Sequence, residues 1–524
     1  MKPSHQESAC LVMNRDSGPF FPSFISRRRP YALAFWAIGL VLLSGGCGRK
    51  ERGATQPGSA AKAQARPVAR APATKLQAAI DRLRSIPFER DPAKRPLFLS
   101  EAITNRHDWA LRGLERGYAA SGHTNSLWDS QVKAAFVAYE DFIHLGQINW
   151  PQLEQRLKAV ANAGCDDPMI RYMQARYRTD ANQTNRDTIA IEFVAAQESM
   201  TRSAYHPLFK FMAGWRAADL SREADTNSDH MPSVMLTTVA LEDLARDTSA
   251  PVDDVFDMTV VWLRCANNAQ WYDFVLSDLE PLLKANWGRT ERWHRFEGWL
   301  ERQRAWFARG GGWADSVTEK GWEGFRQHMA VAERFLTRAW QMNSNCAETA
   351  RLMMDVELAQ GQGLGREEMW FDRAMAADRN YDDAAVAMAW YLQPRWYGSD
   401  NATLQFGRRC VASTNWGGRV PLVLVDTHHS LATYYKLTDS PDYWHRPEVW
   451  KDVQSAYERF FQANPKATGW RHNYARDAYL CGQYGAFLQQ ARLFGSGTNF
   501  TFFGGQAKFQ EMLARAAAQG SGEH

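Results

Sequence analysis

The stretch "DTHHS", residues 426–430, brings two histidines, a carboxylate and two hydroxyls within five positions, a composition suited to metal ligation or general acid–base work. On a helix, His428 and His429 would point about 100° apart and would not share one ion. His428 follows Leu424 by four residues, which puts it on the apolar face, and a hydrogen-bonded core histidine is the expected outcome. Two glycine-rich stretches, "RGGGWAD" (309–315) and "GQGLG" (361–365), have the composition of phosphate-cradling loops. No strand-like run precedes either. Asp315 and Arg366 stand where a dinucleotide fingerprint needs its last glycine, so both stretches read as turns between helices. No H-E-x-x-H, G-x-S-x-G or C-x-x-C occurs. The sequence therefore names no catalytic residue, no metal ligand and no cofactor.

The elements that would position any site are helices. In "LWDSQVKAAFVAYEDFIHLG", Val132, Ala135, Phe136, Tyr139, Phe142 and Ile143 recur at intervals of three and four, the mark of one buried helix face. The next segment has Pro151 at a helix start and Leu153, Leu157, Val160 and Ala161 along one face. Gly164 is its stop signal. Asp166 or Asp167 then caps a following helix, with Pro168 in its first turn. That predicts a helical hairpin with a short loop. Strand-like alternation is scarce, and only "VPLVLVD" (420–426) invites a strand reading. Tryptophan is abundant, with 21 residues, and Trp293, Phe296, Trp299 and Leu300 follow helical spacing as knobs between helices. The alternative use of such aromatics is a groove for glycans or peptides.

Near the N-terminus, "YALAFWAIGLVLL" (31–43) carries no charge and follows "SRRRP". It is shorter than the roughly 20 residues a spanning helix needs and has the pattern of a secretory signal peptide. The run ends at Ser44, Gly45 and Gly46, directly before Cys47. This junction resembles the lipobox of bacterial lipoproteins, although Ser44 stands where that family usually has leucine. The resemblance implies that residues 1–46 are removed and that Cys47 becomes the lipidated first residue. Gly48, rather than an aspartate, follows the cysteine, which in the familiar sorting pattern implies the periplasmic face of the outer membrane.

Residues 47–75 then read as a disordered linker, rich in Ala, Pro and Gln, with seven basic residues against Glu51. From residue 76 on, 50 basic residues face 55 acidic ones, so the formal +4 of the whole chain comes from its leader and linker. A basic tether beside a mildly acidic body suits an anionic membrane surface and argues against a nucleic-acid partner. Cys165, Cys265, Cys346, Cys410 and Cys481 are widely spaced and odd in number, and most are expected to be small buried hydrophobes.

The second half repeats. "RAWQMNSNCAETA" from Arg338 lies on "RAMAADRNYDDAA" from Arg373 at an offset of 35, pairing Ala339 with Ala374 and Asn345 with Asn380. A third copy carries Tyr457, Asn464, Pro465, Gly482 and Tyr484 in the register of tetratricopeptide repeats, and Gly361 falls at the equivalent turn of the preceding copy. Residues 325–495 thus resemble that family, with Phe487 where alanine is usual and with residues 396–415 interrupting the period. "GCDDP", "RGGGWADSVTEKGW" and "PRWYGSD" are similar to helical exported proteins of environmental bacteria, a resemblance that carries no activity.

The expected architecture is all-α: an irregular helical region over 76–320 and a hairpin repeat array, an α-solenoid, over 321–515. The expected function is a lipid-anchored scaffold for a protein or peptide, with Arg471, Asn473 and Arg476 as candidate partner contacts while Ala475 and Ala478 pack inward. The alternative is an enzyme acting on envelope polysaccharide, built as a closed toroid of paired helices.

Overall fold

A computed structural model describes residues 98–520, apart from 146–149, 181–185, 224–230, 267, 312–313, 466, 495–497 and 499. Cys47 and the segments expected to be leader and linker lie outside the described residues. The described chain is all-α, and no strand occurs among the described residues. The N-terminal helices are α1 (Phe98–Ala120), α2 (Asp129–Leu145), α3 (Trp150–Asn162), α4 (Pro168–Asp180), α5 (Arg186–Thr201) and α6 (Pro207–Glu223). They lead into α7 (Met231–Arg246), α8 (Val252–Leu263), α9 (Ala269–Trp287), α10 (Glu291–Arg309) and α11 (Glu319–Met342). The array continues through α12 (Ala347–Gln360), α13 (Leu364–Ala377), α14 (Asp382–Tyr391), α15 (Asp400–Ala412) and α16 (Val423–Tyr434). It ends with α17 (Pro441–Trp444), α18 (Pro447–Ala463), α19 (Arg471–Leu480), α20 (Tyr484–Phe494) and α21 (Gln506–Gly520).

Neighbouring helices pack as antiparallel pairs, of which α10 with α11, α12 with α13 and α19 with α20 are the most extensive in this half. Along one side of the array the first helices of successive pairs also touch: α8 meets α10, α10 meets α12, α12 meets α14 and α14 meets α16. This is a helical-hairpin repeat array. One apolar cluster runs from Leu208 to Val423 and so passes across residue 320, where the sequence reading divided the body. Trp109 and Met212 pack against both this cluster and the one formed by α1–α6.

The local signals explain the element ends. Asp167, not Asp166, caps α4: its Oδ1 accepts from the amides of Met169 (2.9 Å) and Ile170 (3.3 Å). Asn268, Thr290, Thr318 and Ser399 each accept from the amide three residues on, opening α9, α10, α11 and α15. Gly361 (φ 64°) and Gly482 (φ 70°) stand in the left-handed region just after α12 and α19, where a side chain would be strained. The stretch 420–426 is not a strand: Val420–Leu422 is a 3-10 turn that feeds directly into α16. Pro421 has no amide to donate to a ladder, and helix packing on both sides buries a run that is apolar all round.

The repeat has a structural signature at its turns. Asn343 Oδ1 accepts from the Asn345 amide (3.0 Å), Asp378 Oδ1 from Asn380 (2.9 Å) and Ser413 Oγ from Asn415 (3.2 Å). Each of these three acceptors closes a helix, and they recur every 35 residues. The period therefore carries on through 396–415. Small residues set the helix spacing: a Cβ on Gly298 would come within 2.4 Å of Leu336, so α10 and α11 approach there as only glycine allows.

Candidate functional site

The first helices carry a ladder of ionisable side chains. On α8, Asp254 and Asp257 receive Arg106 from α1. Arg292 at the start of α10 reaches Asp253 (3.2 Å), Asp257 and, across to α12, Glu348 (3.3 Å). Arg295 holds the same Glu348 at 2.6 Å and Glu291 at 3.2 Å. Further along, Arg302 (2.6 Å) and Arg351 (2.5 Å) converge on Asp355. Arg419 pairs with Asp382 of α14 at 3.2 Å, and His429 of α16 meets Asp477 of α19 at 3.1 Å. Each bridge but the Arg295–Glu291 and Arg351–Asp355 pairs, which lie within one helix, and the Arg419–Asp382 pair, which joins the turn before Val420 to α14, links two different helices.

Several of these groups sit among protein charges and still reach solvent. The side chains of Glu348 and Asp253 are 43% and 40% exposed, and those of Arg419 and Asp382 38% and 22%. Burial works against ionisation of Glu348, but Arg295 and Arg292 hold its carboxyl below the usual range. Asp382 goes the other way: burial, with Asp383 and Asp426 beside it, overcomes Arg419 and lifts it to about 6. Bridged charges with accessible edges can exchange an internal partner for a ligand's charge, amide or carboxylate.

The sequence-predicted positions fall as follows. Ala475 and Ala478 are fully buried, as expected. Arg471 donates to Gln490 (2.9 Å) and lies over the Phe461 ring at 4.5 Å. Asn473 is only 5% exposed. Arg476 pairs with Asp477 at 3.2 Å. Of the three, Arg476 adjoins the ladder through Asp477. His428 is the core histidine anticipated, between Tyr443 (3.0 Å) and Asp452 (3.1 Å), while His429 turns to Asp477. The two imidazoles thus serve different carboxylates. Among the described residues no group of three or more His, Cys, Asp or Glu is placed to hold a metal ion. The ladder itself was missed because its partners lie far apart in sequence, Arg106 and Asp254 by 148 residues. The usable signal was the recurrence of Asp, Glu and Arg in the first two turns of α8, α10, α12 and α14.

Two buried acids, Glu297 and Glu357, contribute to the pH response. Burial, then Glu280, raises Glu297 to about 7. Burial likewise raises Glu357 to about 7 although Arg366 donates to it. A carboxyl whose folded value lies above its ordinary 4.5 takes up a proton on folding, so its contribution falls as pH rises from 4.5 to about 7. The double variant Glu297→Gln, Glu357→Gln is expected to gain stability near pH 8, on the order of 3 kcal/mol per acid, with no gain near pH 4. Denaturant melts across that range check it, and a gain independent of pH refutes it.

Set beside known proteins, the chain matches no protein-family model and no curated protein at a significant level.

Proposed function

We propose that this chain is a lipid-anchored envelope protein, tethered by Cys47 to the periplasmic face of the outer membrane, whose tetratricopeptide-like hairpins bind a protein or peptide along the ladder of the first helices. The observation that carries the reading is the row of mutually bridged charges on α8, α10, α12, α14 and α16, in which Asp253, Glu348 and Asp382 keep edges open to solvent. An array whose first helices adjoin offers a long row of side chains that packing within each hairpin leaves over. The ladder holds both signs, which suits an extended polypeptide better than a ligand of one charge. The acidic balance of the body speaks against a nucleic-acid partner.

Two experiments test the two halves of this proposal. A photoreactive amino acid placed at Glu348 or Asp382 of the cell-expressed protein should give adducts with one and the same partner, and none when placed at exposed Lys508 on α21. Equal adducts at all three positions, or none, would sink the groove. If the purified protein instead shortens an envelope polysaccharide, the enzymatic alternative takes its place. For the anchor, Cys47→Ser should lose palmitate label and leave the membrane fraction. Unaltered labelling in that variant would remove the lipoprotein reading.

A further inference from the structure

Most arginines on the central hairpins are matched by carboxylates: Arg292, Arg295, Arg302 and Arg304 on α10, Arg351 on α12 and Arg366 on α13. Arg334 and Arg338, one turn apart on α11, have no carboxylate partner among the described residues. Glu333, their nearest acid in sequence, is turned away, accepting from Gln360 at 2.7 Å and facing Arg366 at 3.9 Å. Like charges at this spacing repel by a few tenths of a kcal/mol, so the pair adds nothing to the helix. Together with His294 of α10 and Phe335 the two arginines line a shallow cavity of about 260 Å³. The imidazole and the Phe335 ring stand 6.0 Å apart, centre to centre.

We propose that this cavity binds a phosphate group, free or as a phosphomonoester, with Arg334 and Arg338 as its charge partners and His294 as a hydrogen-bond donor. Paired guanidinium groups match a tetrahedral dianion through several parallel N–H donors. Burial, and then Arg338, keeps the imidazole below its ordinary value. The close approach at Gly298, one turn after His294, seats Leu336 against α10 and so fixes the spacing of the two helices beside the cavity. Phe335 offers a ring face to the organic part of a monoester. None of these four residues takes part in the ladder, so the inference stands apart from the proposed scaffold role.

The test is equilibrium dialysis of the full chain at constant ionic strength, with radiolabelled orthophosphate in one arm and phenyl phosphate in the other. Saturable binding of one equivalent is expected in at least one arm. Tighter binding of phenyl phosphate, lost in Phe335→Ala, would assign the site to a phosphomonoester, and equal affinities would assign it to free phosphate. The exposed double variant Arg334→Gln, Arg338→Gln should weaken binding tenfold or more with an unchanged melting temperature. Absence of saturable binding in both arms, or equal binding by wild type and the double variant, overturns the proposal.

Discussion

Asp477→Ala is expected to cost about 3–5 kcal/mol of unfolding free energy, the range for removing one member of a buried ionic cluster. The carboxylate is 1% exposed and takes His429 at 3.1 Å, the Tyr457 hydroxyl at 2.8 Å and Arg476 at 3.2 Å. Burial alone would raise its pKa, yet Arg476, His429 and the Tyr457 hydroxyl hold it at about 2. A group depressed in the folded state stabilises above its unfolded value and loses that contribution as pH falls through the folded one. Acid unfolding of the wild type should therefore draw on Asp477 between about pH 4 and about pH 2, and the variant should lack that portion. Asp477→Asn keeps one acceptor and should fall between the two. Denaturant melts at neutral pH decide, and a loss under about 1 kcal/mol would mean that the cluster is solvated rather than sealed.

Trp340→Ala should be comparably damaging, about 3–5 kcal/mol, because a large buried ring leaves a cavity that packed helices fill poorly. Trp340 is fully buried at the end of α11, and its ring meets Trp370 edge to face at 5.2 Å. Arg373 caps the pair, 5.4 Å from one ring and 4.5 Å from the other. The site joins two hairpins, so its loss should loosen the contact between them as well as the core. Trp340→Phe, which keeps an aromatic edge, should recover part of the difference. Equal, small losses for both variants would show that the hairpins hold together without this contact.

What the sequence discloses and what it hides follow from the range of each interaction. Helical periodicity, the Asp167 cap, the turns at Gly361 and Gly482 and the buried set Trp293, Phe296, Trp299 and Leu300 are governed by residues within a turn or two of one another. All of these are legible. The third 35-residue turn escaped because Ser413 replaces Asn343 and Asp378, and a comparison by residue type does not see that the turn needs only a side-chain oxygen. The run 420–425 is apolar on every face and so carries no periodicity at all. Asn473 was expected on an open face, but α19 is only ten residues long and is enclosed by α18, α20 and the turn at Phe500–Phe503. The phosphate cavity depends on which way Glu333 turns, and that is decided by Gln360, 27 residues on.

The side-chain turns at Asn343 and Asp378 also give the gene natural cutting points. Asn343 and Asp378 leave their helices with matching backbone angles, −146°/93° and −144°/108°, and each is bonded back to an alanine four residues earlier. A deletion that joins Met342 to Asp378, or a duplication of residues 343–377, therefore meets the same exit direction on both sides of the splice. Such a chain can change length by whole units without redrawing any connection. Charge follows the same register: removing residues 343–377 takes away Glu348, the partner of Arg292 and Arg295, and brings Asp383 of the next unit to the equivalent position.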